Sequence, residues 1–300
     1  MFIQRIFKRR LNALAAALLL AASLPAATET PTQFDQADSA YETDNDKQAF
    51  DLFKLFADQG NATAQFNLGV MYEQGQGVAQ DHQQAVMWYR KAADQGYADA
   101  QFNLGVMYDQ GEGVAQDYQQ AVMWYRKAAG QGYADAQFNL GVMYDQGEGV
   151  AQDDKQAVMW YRKAAKQGVV QAQFNLGNMY YNGRGVAKND QQAAMWYRKA
   201  AEQGDAQAQF NLGVMYYEGR GVAQDDKQAA AWYRKAAEQG VAQAQYNLGL
   251  MHHSGRGVAQ DFQQAAYWWR KVLAQPDTAE NAEAKAAAKV DLGLLELLKY

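Results

Sequence analysis

Residues 61–96 read NATAQFNLGVMYEQGQGVAQDHQQAVMWYRKAADQG, and this stretch decides the fold. It restarts every 36 residues, at Tyr97, Tyr133, Val169, Asp205 and Val241, and the register never slips. Leu68, Leu104, Leu140, Leu176, Leu212 and Leu248 hold one position, each followed by glycine. Trp88, Trp124, Trp160, Trp196, Trp232 and Trp268 hold another. A fixed period of this size marks a stacked array, in which each unit buries its apolar face against its neighbours.

Within one unit the apolar spacing predicts two helices. Ala64, Leu68 and Tyr72 share one face of a first helix over roughly 61–74, and Ala85, Trp88 and Ala92 share one face of a second over roughly 82–94. Gly75 and Gly77 suit a tight turn between them. Asp81 with Gln84 forms a capping-box start, repeated as Asp117/Gln120, Asp153/Gln156, Asn189/Gln192, Asp225/Gln228 and Asp261/Gln264. Gly96, Gly132, Gly168, Gly204 and Gly240 stop the second helix, and Pro276 stands in that place in the sixth unit. Small side chains allow a close crossing, so Gly69 and its equivalents are expected to face Ala85 and its equivalents.

These residues, Ala-x-Ala, Leu-Gly-x-x-Tyr, Gly-x-Gly-Val and Ala-x-x-Trp-Tyr-x-Lys-Ala-Ala, resemble the Sel-like repeat, a longer relative of the tetratricopeptide repeat. The resemblance covers 61–276. It implies an all-α, right-handed α-solenoid, of a kind that mostly serves as an adaptor or scaffold for protein partners. One secreted branch of the family carries paired cysteines and has been linked to β-lactam chemistry; this chain has no Cys.

The flanks give the remaining organisation. Residues 1–27 read as a signal peptide: Arg5, Lys8, Arg9 and Arg10 precede a short apolar run ending in small residues. The expected location is therefore periplasmic or secreted, with no stable membrane anchor after cleavage. Residues 28–44 are polar without a helical period and are expected to be a flexible lead-in. Residues 45–60 align with a second helix, with Phe50, Leu52, Phe53 and Phe56 in altered packing positions, as expected of an N-terminal capping half-repeat. After six repeats over 61–276, residues 277–300 supply a connector and a closing helix, whose Leu294, Leu295, Leu297 and Leu298 are available to cover the last core or to form a docking surface.

Charge and composition narrow the function. The formal net charge of −5 becomes −9 without the four N-terminal cations, which disfavours nucleic acid. No thiol exists, none of Ser23, Ser39 and Ser254 sits in Ser-x-x-Lys, and His82, His252 and His253 lack metal-ligand spacing. No catalytic, cofactor or metal residue is expected. A cell-wall or β-lactam hydrolase and a self-associating array stand as the rival readings to a protein-binding scaffold.

The candidate surface is the side of the first helix opposite its buried stripe, which lines the concave groove in tetratricopeptide-like stacks. It carries Asn67, Asn103, Asn139, Asn175, Asn211 and Asn247, although Asn is a mediocre helix-interior residue. Two readings remain open: an amide ladder for the backbone of an extended peptide, or a bond from each Asn to the adjacent repeat. Phe66, Phe102, Phe138, Phe174, Phe210 and Tyr246 share this arc and are read as packing between consecutive first helices. The Met71 column is read as core filler, and Arg90-Lys91 with its equivalents as a solvated helix end.

Two columns change between the third and fourth repeats. Between the turn glycines stand Gln76, Glu112 and Glu148, then Arg184, Arg220 and Arg256; after the tyrosine stand Glu73, Asp109 and Asp145, then Tyr181, Tyr217 and His253. Residues 61–168 hold 8 Lys/Arg against 12 Asp/Glu, whereas 169–276 hold 11 against 8. A groove ligand is therefore expected to be bipolar, with its basic part over the acidic repeats and its acidic part over the arginines.

Overall fold

The computed structural model describes residues 33–43 and 45–297, so the signal peptide expected over 1–27 and Leu298 lie outside the described residues. Among the described residues there are fifteen helices and no strand. They are α1 Gln33–Glu42, α2 Asp46–Asp58, α3 Ala62–Gln74, α4 His82–Asp94, α5 Ala98–Gln110, α6 Tyr118–Gly130, α7 Ala134–Gln146, α8 Asp154–Lys166, α9 Val170–Asn182, α10 Asp190–Glu202, α11 Ala206–Glu218, α12 Asp226–Glu238, α13 Ala242–Ser254, α14 Phe262–Leu273 and α15 Ala279–Leu297. The chain divides into two compact units, 1–128 and 129–300. Within each unit, a first helix packs on its own second helix and that second helix on the next first helix, the order of an α-solenoid.

The repeat core is built as its spacing requires. Ala64, Leu68 and Met71 of α3 and Ala85, Trp88, Tyr89 and Ala92 of α4 are buried, and the same columns recur along the chain. Asp81 accepts hydrogen bonds from the backbone N–H groups of Gln83 and Gln84 at 3.0 Å, so it caps α4. The capping box is only half made, however. The N–H of Asp81 donates to the Tyr72 carbonyl at 2.9 Å, and the equivalent bond recurs from Asp117, Asp153, Asn189, Asp225 and Asp261. The turn itself supplies the acceptor that a box would take from Gln84.

Two sequence-based expectations are corrected. Residues 33–42, expected within an aperiodic lead-in, form α1, because Phe34, Ala37, Ala40 and Tyr41 make a short apolar stripe. Ala37 and Ala40 are buried, and the Phe34 ring meets Phe53 and Phe56 edge-on at 6.1 and 5.4 Å. The segment 45–60 is thus the second helix of a pair, with α1 covering its outer side. Second, Gly69 faces Tyr89 rather than Ala85: a Cβ there would lie 2.6 Å from the Tyr89 ring. In the closing helix Leu292 and Leu295 reach the core, while Leu294 and Leu297 stay exposed, so its leucines divide between the two expected roles.

The Arg-Lys pair stands at a solvated helix end, as expected, and makes contacts there as well. Lys91, Lys127 and Lys163 lie over the rings of Trp88, Trp124 and Trp160 at 3.8, 3.9 and 4.1 Å. Arg162 and Arg198 donate to the hydroxyls of Tyr180 and Tyr216 on the next first helix, at 2.8 and 2.5 Å, and Arg90 does the same to Tyr108. The lysine covers the tryptophan of its own helix, and the arginine reaches the next repeat. Sequence spacing also misses a glutamine relay. Buried Gln173 donates to the Ala165 carbonyl of the preceding helix at 3.1 Å and accepts from Gln203 at 2.8 Å, and the motif recurs at Gln65, Gln209 and Gln245.

Candidate functional site: the first-helix face

The asparagine column meets the tyrosine that fills the glycine notch. The side-chain amides of Asn103, Asn175, Asn211 and Asn247 stand beside the hydroxyls of Tyr89, Tyr161, Tyr197 and Tyr233, each on the second helix of the preceding repeat, where they favour the ionised phenol. Asn67 and Asn139 occupy the same half-buried position. Before Asn67 the tyrosine position is Phe53, which has no hydroxyl. The phenols also need an acceptor. The acidic column provides it: Tyr125 and Tyr161 donate to Asp109 and Asp145 at 3.2 Å, and Tyr89 donates to Glu73. Where Tyr181 replaces the acid, Tyr197 turns to the Oδ1 of Asn178 at 2.7 Å.

The phenylalanine column stacks on those same tyrosines rather than on the next phenylalanine. Ring centroids of Phe66/Tyr89, Phe138/Tyr161 and Phe210/Tyr233 lie 5.8, 6.0 and 5.9 Å apart. His253, at the acid position of the sixth repeat, packs on Phe262 and Trp269.

Burial is the first cause that lifts the Tyr89, Tyr161, Tyr197 and Tyr233 phenols above their ordinary range, and neighbouring Glu73 and Asp145 add to it at the first two. A folded-state value above the unfolded one means that these groups contribute stability fully below the unfolded value, about pH 10, and lose it as pH rises toward the folded value. Tyrosinate absorbance is therefore expected to rise in two phases, exposed tyrosines first and these four buried ones together with loss of helical circular dichroism. A single smooth titration with the helices intact would contradict this.

The arginine column is committed within the protein. Arg184 Nη2 lies 2.6 Å from both Asp145 and Asp154. Arg220 forks onto Asp190 at 3.4 Å, donates to the Tyr181 hydroxyl at 2.6 Å and stacks on that ring at 4.4 Å. Arg256 repeats this with Asp226 and Tyr217. In each case the residue between the turn glycines meets the first residue of the preceding second helix. His82 stands there opposite Glu112, Nδ1 to Oε2 3.9 Å, and Tyr41 donates to Gln76 at 2.9 Å. The two columns that change sign along the sequence thus change with their partners in the neighbouring repeat.

Arg220 and Asp190 are each about a third exposed, so solvent screens the pair. Arg220→Ala is expected to cost about 1 kcal/mol at low salt and less at high salt. Arg220→Lys should fail to restore it, because lysine lacks both the fork and the stacking plane. Chemical denaturation at two ionic strengths checks both outcomes.

One repeat departs from the others. Asn178 stands where the other first helices have Val70, Val106, Val142, Val214 and Leu250, and Asn182 where they have Gln, Glu or Ser. Asn175, Asn178 and Asn182 share one face of α9 and, with Asp145, Met179 and Arg184, line a recess of about 90 Å³. The expected site residues Asp145, Asn175 and Arg184 are brought together here. Asn178 and Asn182 were legible only as departures from their columns. Among the described residues, no group of three or more His, Asp or Glu side chains is placed to hold a metal ion.

The Sel1 repeat model matches residues 41–61, 62–97, 98–133, 134–169, 170–205, 206–241 and 242–275. The chain belongs to the Sel1 repeat family. Among solved structures, this Sel1 repeat protein is similar to a protective antigen of uropathogenic Escherichia coli with the same repeat fold, at 41% identity and a TM-score of 0.74 over 82% of this chain and 51% of that one. It is also similar to a Sel1 repeat protein from Oxalobacter formigenes, at 32% identity and a TM-score of 0.68 over 83% of this chain and 99% of that one. The chain thus spans about half the length of the E. coli antigen. No curated protein matches it. Sel1 and tetratricopeptide-like repeats form scaffolds suited to protein interaction.

Proposed function

We propose that this Sel1 repeat protein is an exported scaffold that binds a protein segment in extended form along its first-helix face, within a concave groove. The asparagine column and its neighbours Glu73, Asp109, Tyr181, Tyr217 and His253 form the contact row, and the recess of the fourth repeat is its anchor. The observation that carries this reading is the convergence of Asn175, Asn178 and Asn182 with Asp145 and Arg184, found in one repeat only. Side-chain amides offer a donor and an acceptor together, which suits the peptide group of an extended chain. Export is supported by the basic and then apolar start of the sequence. The arginines serve here as inter-repeat struts, so an acidic ligand must compete with Asp154, Asp190 and Asp226 for them. The ligand's affinity therefore rests on amide recognition more than on bipolar charge.

A photoreactive residue at Asn182, with a control at exposed Met159 on α8, tests this in envelope extract. The expected result is one dominant cross-linked partner at 182 that is absent at 159, with Asn175→Ala weakening capture several-fold. Equal capture from both positions would refute the groove reading.

A further inference from the structure

The recess of the fourth repeat is lined by polar side chains except at Met179, so what it takes is decided by hydrogen bonding. Its bonds within the protein fix which polar atoms are already used. Asn178 accepts the Tyr197 hydroxyl at its Oδ1, 2.7 Å away, which leaves its Nδ2 group as the unused end. Asn182 lies one turn further along α9 and donates from Nδ2 to the Asn178 backbone carbonyl at 3.0 Å, which leaves its Oδ1 unused. Arg184 sets Nη2 between Asp145 and Asp154, 2.6 Å from each, and turns Nε to Asp154 at 3.4 Å, which leaves Nη1. Among the described residues, none of these three groups has a hydrogen-bond partner.

Two donors and one acceptor on neighbouring residues select among side-chain heads. A carboxylate would suit the donors but would set an oxygen against Asn182 Oδ1, and it would bring a third negative charge to a guanidinium already shared by two. An ammonium would suit Asn182 Oδ1 but would lie beside Arg184 and offer nothing to the two donors. An aliphatic head would leave all three groups unpaired and partly desolvated. A carboxamide meets each need: its oxygen accepts from Asn178 and Arg184, and its NH2 donates to Asn182.

We propose that the recess selects a glutamine or asparagine side chain of the bound segment, held between Asn178, Asn182 and Arg184. The inference rests on the groove reading above and adds which residue the segment must place at the fourth repeat. The neighbouring repeats cannot do the same, because Val142 and Val214 stand where Asn178 does and carry no donor. The selected side chain therefore sets the register of the segment along the asparagine column.

The probes are fluorescent peptides Thr-Val-Thr-x-Thr-Val-Thr, whose β-branched residues favour the extended form, with Gln, Asn, Glu, Lys or Leu at x. Each is titrated into the full chain. The Gln or Asn peptide is expected to bind saturably and at least about ten-fold more tightly than the Glu, Lys and Leu peptides, the equivalent of two hydrogen bonds. Asn178→Asp keeps the acceptor for Tyr197 but removes the donor, so it should abolish that preference and raise the rank of the Lys peptide. Asn178→Val installs the residue of the neighbouring repeats and should bring all five peptides to similar affinity; unchanged melting of both variants confirms that they fold. Five peptides bound alike by the unmodified chain, the Glu or Lys peptide bound best, or a Gln preference that survives Asn178→Asp would overturn the proposal. No saturation by any peptide up to about 1 mM would overturn it as well. The groove reading is judged separately, by cross-linking at Asn182 against Met159, and would outlast any of these results.

Discussion

Replacing Gly185 by alanine is expected to destabilise the second unit by roughly 3 kcal/mol or more, the largest single-residue effect outside the core. Two costs combine. Gly185 sits at φ +65°, a left-handed conformation that alanine adopts with strain. Its Cβ would also enter the backbone carbonyl group of Asp154 and come within 2.9 Å of the Lys155 nitrogen, in the first turn of α8. Backbone at a capped helix start cannot step aside. Gly168 provides the comparison: φ is +94° there, with nothing within 4 Å of an added Cβ. Gly168→Ala should therefore cost only about 1 kcal/mol, from strain alone. Similar losses for the two variants, measured by urea denaturation, would mean that contact between the loop and the preceding repeat does not matter.

The second large effect reverses the sign expected from helix propensity. Gly141 lies inside α7, where alanine ordinarily gains up to about 1 kcal/mol over glycine. The added methyl would lie 2.6 and 2.8 Å from ring carbons of Tyr161, which is buried and held through its hydroxyl by Asp145. Gly141→Ala should thus lower stability by about 1 to 3 kcal/mol, and Gly141→Leu by more. At Gly293 the same change meets open space, so Gly293→Ala should raise the melting temperature slightly. A gain at both positions would show that the tyrosine ring has room to move.

Helix pairs, their caps and the stop glycines follow from spacing alone, because an unbroken 36-residue register leaves one way to read the apolar stripes. What the sequence withholds is the rotation of one helix against the next. A helical wheel puts Gly69 on the inner side of α3 but does not decide between Ala85 and Tyr89, since both lie on the buried side of α4. The same gap affects the polar columns. Arg184 and Asp154 are 30 residues apart, and only the packed loop reveals that one reaches the other across repeats. Periodic charge then looks like free surface when it is partly mortar. α1 is not legible in the sequence for a different reason: its stripe is brief and set among Asp35, Asp38 and Glu42.

The central claim is that the polar columns of the first helices tie each repeat to the one before it, which leaves the amide-rich face of the fourth repeat for recognition. A double-mutant cycle on Tyr197→Phe and Asn211→Ala, in the fourth and fifth repeats, tests that tie directly. An amide set beside the hydroxyl predicts a coupling free energy of about 0.5 to 1.5 kcal/mol in urea denaturation. Strictly additive losses would contradict it and mean that the asparagines do not hold the tyrosines of the preceding repeat.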